Sequence, residues 1–306
     1  MNQKVSTTVV VFSLVFGVSG FLFGLSRGLE PTSTATLAAA GPSATAIPTE
    51  APSLYHQLVQ QVAPIEGLTV PVHWGDTGQK LVEAGAIDLA RFEAHYNGFT
   101  EEQDAAINGD SLDEITFQPD NIAFWTNMLW ALGLTQQTKV LGEGPMMQNK
   151  ERTPLGNYAS TGGWTLGTKP ATELYNSTEF FKLTPEQDEL VYRVAENVFR
   201  PCCGNHTAYP DCNHGMAVLG LIALLASQGG TEEALYDAAL AFSAYAFSDT
   251  YVTTAAYFDA QNIAWSDVEP KEILSADFSG AQGSRRIAAA VGPIPGTPGQ
   301  GGSCGT

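Results

Sequence analysis

Residues 202–214 hold three of the chain's four cysteines and two of its five histidines: Cys202, Cys203, His206, Cys212 and His214. Thiolate sulfur and imidazole nitrogen are donors for soft and borderline ions, and the candidates for such a mixed set are copper(I) and zinc. No other segment concentrates ligands or nucleophiles in this way. A Cys-Cys pair at one end of a loop and Cys-x-His at the other could converge on one centre, and four such donors complete a tetrahedron. The spacing departs from zinc-finger patterns, which separate paired cysteines by two or more residues. Adjacent cysteines chelate one ion less easily, so the pattern asks for at least one of Cys202 and Cys203. Met216 and Cys304 are possible extra donors. Cys304 stands in a Gly/Pro-rich tail where packing gives it no role.

Two other chemistries compete for the same residues. Exported cysteines tend to be oxidised, and four can pair in three ways. Cys202 or Cys203 bonded to Cys212 would staple the loop, which leaves His206 and His214 unexplained. Alternatively, Cys212 is a nucleophile, with His214 or His206 as base and Cys203 as resolving thiol. The chain has no Walker loop, G-x-G-x-x-G, H-E-x-x-H, C-x-x-C or C-x-x-C-H, so no motif points to a nucleotide or haem. His56, His73 and His95 are scattered and read as surface or hydrogen-bonded residues.

The flanking sequence must position the cluster. Thr184-Pro185-Glu186-Gln187 is a capping box with proline at the first helical position. Leu190, Val191, Val194, Ala195, Val198 and Phe199 come next at helical spacing, and Pro201 stops the helix at Arg200. Met216 to Ala226 is almost wholly apolar, the pattern of a buried helix, with Asp211 or Asn213 as its cap. Cys212 and His214 therefore belong at the mouth of that helix, where the dipole favours a thiolate. Gly204 and Gly215 remove side chains beside the proposed ligands.

The rest of the chain reads as further helices. Leu54–Val62, Thr77–Ala84, Asp88–Tyr96, a short helix opened by the Thr100 capping box, and Ile122–Leu132, capped by Asp120 and stopped at Gly133, precede the cluster. Thr231–Phe247 and Tyr251–Ala264 lie after it. Leu68–Trp74 is a short extended stretch interrupted by Pro71. Thr135–Asn176 lacks periodicity and is long enough to be a functional loop covering the cysteines. There is no repeat and no dominant strand pattern. The fold class is mainly α: a single helical domain over 54–292 with long irregular loops, and a Gly/Pro-rich tail at 293–306.

The N-terminus sets the compartment. Lys4 precedes an uncharged run, Val5–Ser26, close to the ~20 residues that span a bilayer. A positive start keeps the N-terminus inside and exports the remainder of the chain. Residues 1–27 thus read as a signal anchor or transmembrane helix, and 28–53, rich in Ala, Thr, Ser and Pro, as a linker. Ala38-Ala39-Ala40 has the look of a cleavage site but lies far from the apolar run. The net charge of −18 argues against nucleic acid as a partner. The expectation is an exported, single-pass, membrane-anchored metal-binding protein with its folded domain outside the cytoplasm and a metal ion and the membrane as partners.

Overall fold

The computed structural model describes residues 51–109 and 112–297. The expected membrane helix 1–27, most of the linker and Cys304 lie outside the described residues. The described part is mainly helical, with α1 (Leu54–Val62), α2 (Thr77–Glu83), α3 (Leu89–His95), α4 (Glu101–Asn108) and α5 (Ile122–Thr135) before the irregular region. Four short helices punctuate that region: α6 (Lys139–Glu143), α7 (Pro145–Gln148), α8 (Ala159–Gly162) and α9 (Ala171–Leu174). Then come α10 (Pro185–Ala195), α11 (Asn213–Ser227), α12 (Glu232–Ala246), α13 (Ser248–Asp259), α14 (Pro270–Ile273) and α15 (Ala281–Val291). Two strands, β1 (Leu68–Val70) and β2 (Ile115–Phe117), form an antiparallel pair in the register Leu68↔Phe117 and Val70↔Ile115. Among the described residues no helix is long and apolar enough to cross a membrane.

The core is built on α11 packed against α5. Both helices are apolar on nearly every face, and from Gly215 to Ala226 every residue of α11 is buried. Their backbones approach so closely that a Cβ on Gly220 would lie 2.8 Å from the Gly133 nitrogen. Gly133 therefore does not stop α5 as its sequence position suggests: the helix continues to Thr135, and the missing side chain serves the crossing. The N-cap expected at Asp120 is at Asn121 instead. Helices α10 and α12 pack on α11, and α13 joins α12 to α1 and α15. The strand pair rests on α12, with Phe117 edge-on to Phe242 at 5.6 Å between ring centroids.

Capping chemistry fixes several boundaries. Thr100 and Gln103 exchange the two hydrogen bonds of a capping box at α4, and Thr184 and Gln187 do so at α10. Thr231 caps α12 through the Ala234 N–H. Pro71 lies just past the end of β1, consistent with the donor it cannot supply.

Helix α10 is shorter than its apolar pattern implies. It ends at Ala195, and Val198 and Phe199 lie in extended chain. Their backbone groups find other partners: Val198 O accepts from Thr207 N–H at 2.8 Å, and Phe199 N–H donates to Leu274 O at 2.8 Å. Phe199 also forms an antiparallel bridge with His206. The cysteine loop thus folds back on its own stem.

Candidate metal centre

Residues 196–212 connect α10 to α11, and this connection brings three of the sequence-selected residues together. The sulfurs of Cys202, Cys203 and Cys212 all lie within 4.8 Å of one another. The separations are 3.5 Å for Cys202–Cys212, 3.8 Å for Cys202–Cys203 and 4.0 Å for Cys203–Cys212. None is a disulfide, whose sulfurs stand at about 2.05 Å. Cys202 is exposed, and the other two are half-buried. The adjacent pair converges because the loop reverses at Gly204, whose φ of +76° is in the left-handed region glycine favours.

Cys212 occupies the N-cap of α11. Its sulfur accepts the Gly215 N–H at 3.4 Å, a role expected of Asp211 or Asn213. Asp211 is engaged elsewhere: its Oδ1 accepts from Arg200 Nη2 at 2.9 Å and its Oδ2 from Asn205 Nδ2 at 2.7 Å.

Arg200 is the residue that sequence reasoning passed over. Its side chain is 1% exposed and lies against the triad. Nη2 donates to the Tyr209 carbonyl at 3.2 Å and to Cys203 Sγ at 3.4 Å, and Nη1 donates to Thr207 Oγ1 at 3.4 Å. Nε is buried without a partner. Gly215 makes the space, since a Cβ there would lie 2.5 Å from Arg200 Cζ. The sequence signal was an Arg and an Asp flanking the cluster, together with a glycine in the first turn of an apolar helix. Neither reveals burial by itself.

The electrostatics arise from this packing. Thiols of Cys202 and Cys203 donating toward Cys212 hold its pKa far below the usual cysteine range; burial opposes this, while Arg200 and the Gly215 N–H reinforce it. Cys202 moves the other way, because its proton is held in hydrogen bonds to Cys203 and Cys212. Burial works against the Arg200 charge, but Cys212, Cys203, Cys202 and Asp211 outweigh it and raise its pKa. Burial likewise raises the Asp211 carboxyl, with Cys203 adding to the effect and Arg200 opposing it.

The histidines lie outside the group of mutually close ligand atoms. His206 packs its ring against Phe199 at 5.7 Å, and its Nδ1 is buried without a partner. His214 tilts against Phe247 at 4.5 Å. Burial, reinforced by Arg200, lowers the pKa of both, that of His214 to about 4. Met216 is fully buried in the core. The remaining histidines are exposed: His56 bonds Ser53, His73 bonds Asp113, and His95 is edge-on to Tyr96.

The irregular region does touch the cysteine loop. Ser160 N–H donates to Asp211 O at 3.1 Å, and the Tyr158 and Tyr209 hydroxyls meet at 2.8 Å. Two surface clefts, one beside β1 and α12 and one between α6 and α10, include no cysteine. No family model matches this chain, and no match was found among curated proteins or solved structures.

Proposed function

We propose that this is an exported, membrane-anchored metal-binding protein whose centre is formed by Cys202, Cys203 and Cys212. One observation carries the reading: three sulfurs from two separate points in the chain stand 3.5–4.0 Å apart. A tetrahedral ion with sulfur at about 2.3 Å separates its ligands by about 3.8 Å. Thiolates also need compensation when half-buried, and Arg200 and the Gly215 N–H supply it from the protein side. The choice of copper or zinc as the ion class rests on the sulfur donors. Export and anchoring rest on Lys4 and the apolar run after it.

A second reading is favoured by the 3.5 Å contact between Cys202 and Cys212. These sulfurs need move only about 1.5 Å to reach disulfide length, so the pair could be redox-active thiols or a structural disulfide. One experiment separates the readings. The full chain is purified without chelator under argon, its metals are measured by mass spectrometry, and free thiols are titrated before and after reduction. Metal binding predicts about one ion per chain, lost in Cys203→Ser and Cys212→Ser and retained in His95→Ala. Absence of metal, with thiols appearing only after reduction, would give the site to the disulfide. Absence of metal with thiols free and reactive beforehand would give it to thiol chemistry.

A further inference from the structure

Resting on the metal-binding reading, we infer that the centre takes copper(I) in three-coordination by sulfur alone, with the exposed Cys202 edge as its route of entry and exchange. The donor census leads there. Among the described residues, no side chain that could add a nitrogen or oxygen ligand joins the three sulfurs. Both Asp211 oxygens are held, Oδ1 by Arg200 at 2.9 Å and Oδ2 by Asn205 at 2.7 Å. The His206 ring packs on Phe199 and the His214 ring on Phe247. Among the described residues, the only His, Cys, Asp or Glu donors that meet in one group are the three sulfurs. Thiolate donors suit both copper(I) and zinc, but structural zinc sites use four protein donors, and three sulfurs leave that set one short. Zinc held here would have to complete its shell with water, beside an exposed cysteine that competing ligands can reach.

The coordination step involves no redox change. Three sulfur–copper bonds form as the ion's bonds to its carrier ligands break, the protons still on the thiols pass to solvent, and copper remains in the +1 state throughout. Arg200 Nη2 lies 3.4 Å from Cys203 Sγ, and a metal-bound thiolate keeps lone pairs that can accept its N–H.

The test uses the reduced full-length chain under argon. One aliquot receives copper(I) from a buffered chelator complex, another zinc(II), and each is passed through gel filtration before metal analysis. The expected result is one copper retained per chain and zinc retained at less than one tenth of that. X-ray absorption of the copper form should show three sulfur neighbours and no nitrogen or oxygen. His206→Ala and His214→Ala should leave copper stoichiometry and that spectrum unchanged. Cys202→Ser, checked for folding by circular dichroism, should lower copper retention at least tenfold. Stoichiometric zinc retention, a nitrogen neighbour in the copper spectrum, or a fourth sulfur that disappears in Cys304→Ser would each overturn three-coordinate copper while leaving metal binding intact. Retention of neither ion would overturn both readings.

Discussion

At the scale of single residues, Arg200 is the least expected feature of the site. A guanidinium that is 1% exposed carries a large desolvation penalty, and the fold offsets it with Asp211, the Tyr209 carbonyl, Thr207 and the Cys203 sulfur. Removing one partner strands the other. Arg200→Met leaves the half-buried Asp211 carboxylate facing sulfur, and should destabilise the chain by about 3 kcal/mol. Asp211→Asn leaves a buried cation with less compensation and should also destabilise. The double variant, Arg200→Met with Asp211→Asn, should be less destabilised than the two single losses added together, because neither charge is then left alone. Urea unfolding of the three variants measures this. Single variants within about 0.5 kcal/mol of the parent would mean that the pair contributes little and the loop is held by its backbone bonds. Cysteines and histidines were legible in the sequence as a group, because their types mark them. Which of them converge was not, because that depends on Gly204, Gly215 and Arg200, whose roles appear only when the loop is closed.

Elements were legible where local chemistry decides them. The capping boxes at Thr100 and Thr184 place the starts of α4 and α10 to the residue, since the reciprocal hydrogen bonds need only neighbours in sequence. Elements fixed by long-range packing were read less well. The apolar positions Val198 and Phe199 continue a helical pattern, yet tertiary bonds to Thr207 and Leu274 draw them out of α10. Strand β2 is three residues long and pairs across a separation of more than forty positions, so it leaves little periodic trace. Gly133 has the form of a helix stop but serves a crossing between α5 and α11. That crossing is testable. A Cβ on Gly220 would meet the Leu129 carbonyl at 2.5 Å and the Gly133 nitrogen at 2.8 Å, and both are backbone atoms that no rotamer change can move. Gly220→Ala should therefore cost about 1–3 kcal/mol through overpacking, although alanine is the better helix former. The melting temperature should fall, and metal retention should weaken with it, because α11 carries the Cys212 cap. A rise in stability would show that the two helices are not in backbone contact.

For the molecule as a whole, the question is what would hold it at a membrane. Among the described residues there is no helix long and apolar enough to cross one. The chain also carries a net charge of −18, so an anionic lipid surface repels it at ranges up to a Debye length of about 8 Å in physiological salt. The proposed attachment is through Val5–Ser26, an apolar run near the ~20 residues that span a bilayer, preceded by Lys4. Two mechanisms of membrane association give opposite responses to salt. A peripheral domain held by charge is released as ionic strength rises, whereas an inserted apolar segment stays, because burying hydrocarbon does not depend on screening. The full-length chain should therefore sediment with membranes and resist extraction by 1 M salt, and detergent should release it. A chain shortened to begin at Ser53 should remain in the soluble fraction and bind the proposed metal as the full-length chain does, since all three sulfurs and Arg200 lie beyond residue 199. Recovery of the full-length product in the soluble exported fraction with a new N-terminus near Gly41 would replace the anchor with a cleaved signal. Salt-releasable binding by the shortened chain would place a membrane contact on the folded part itself.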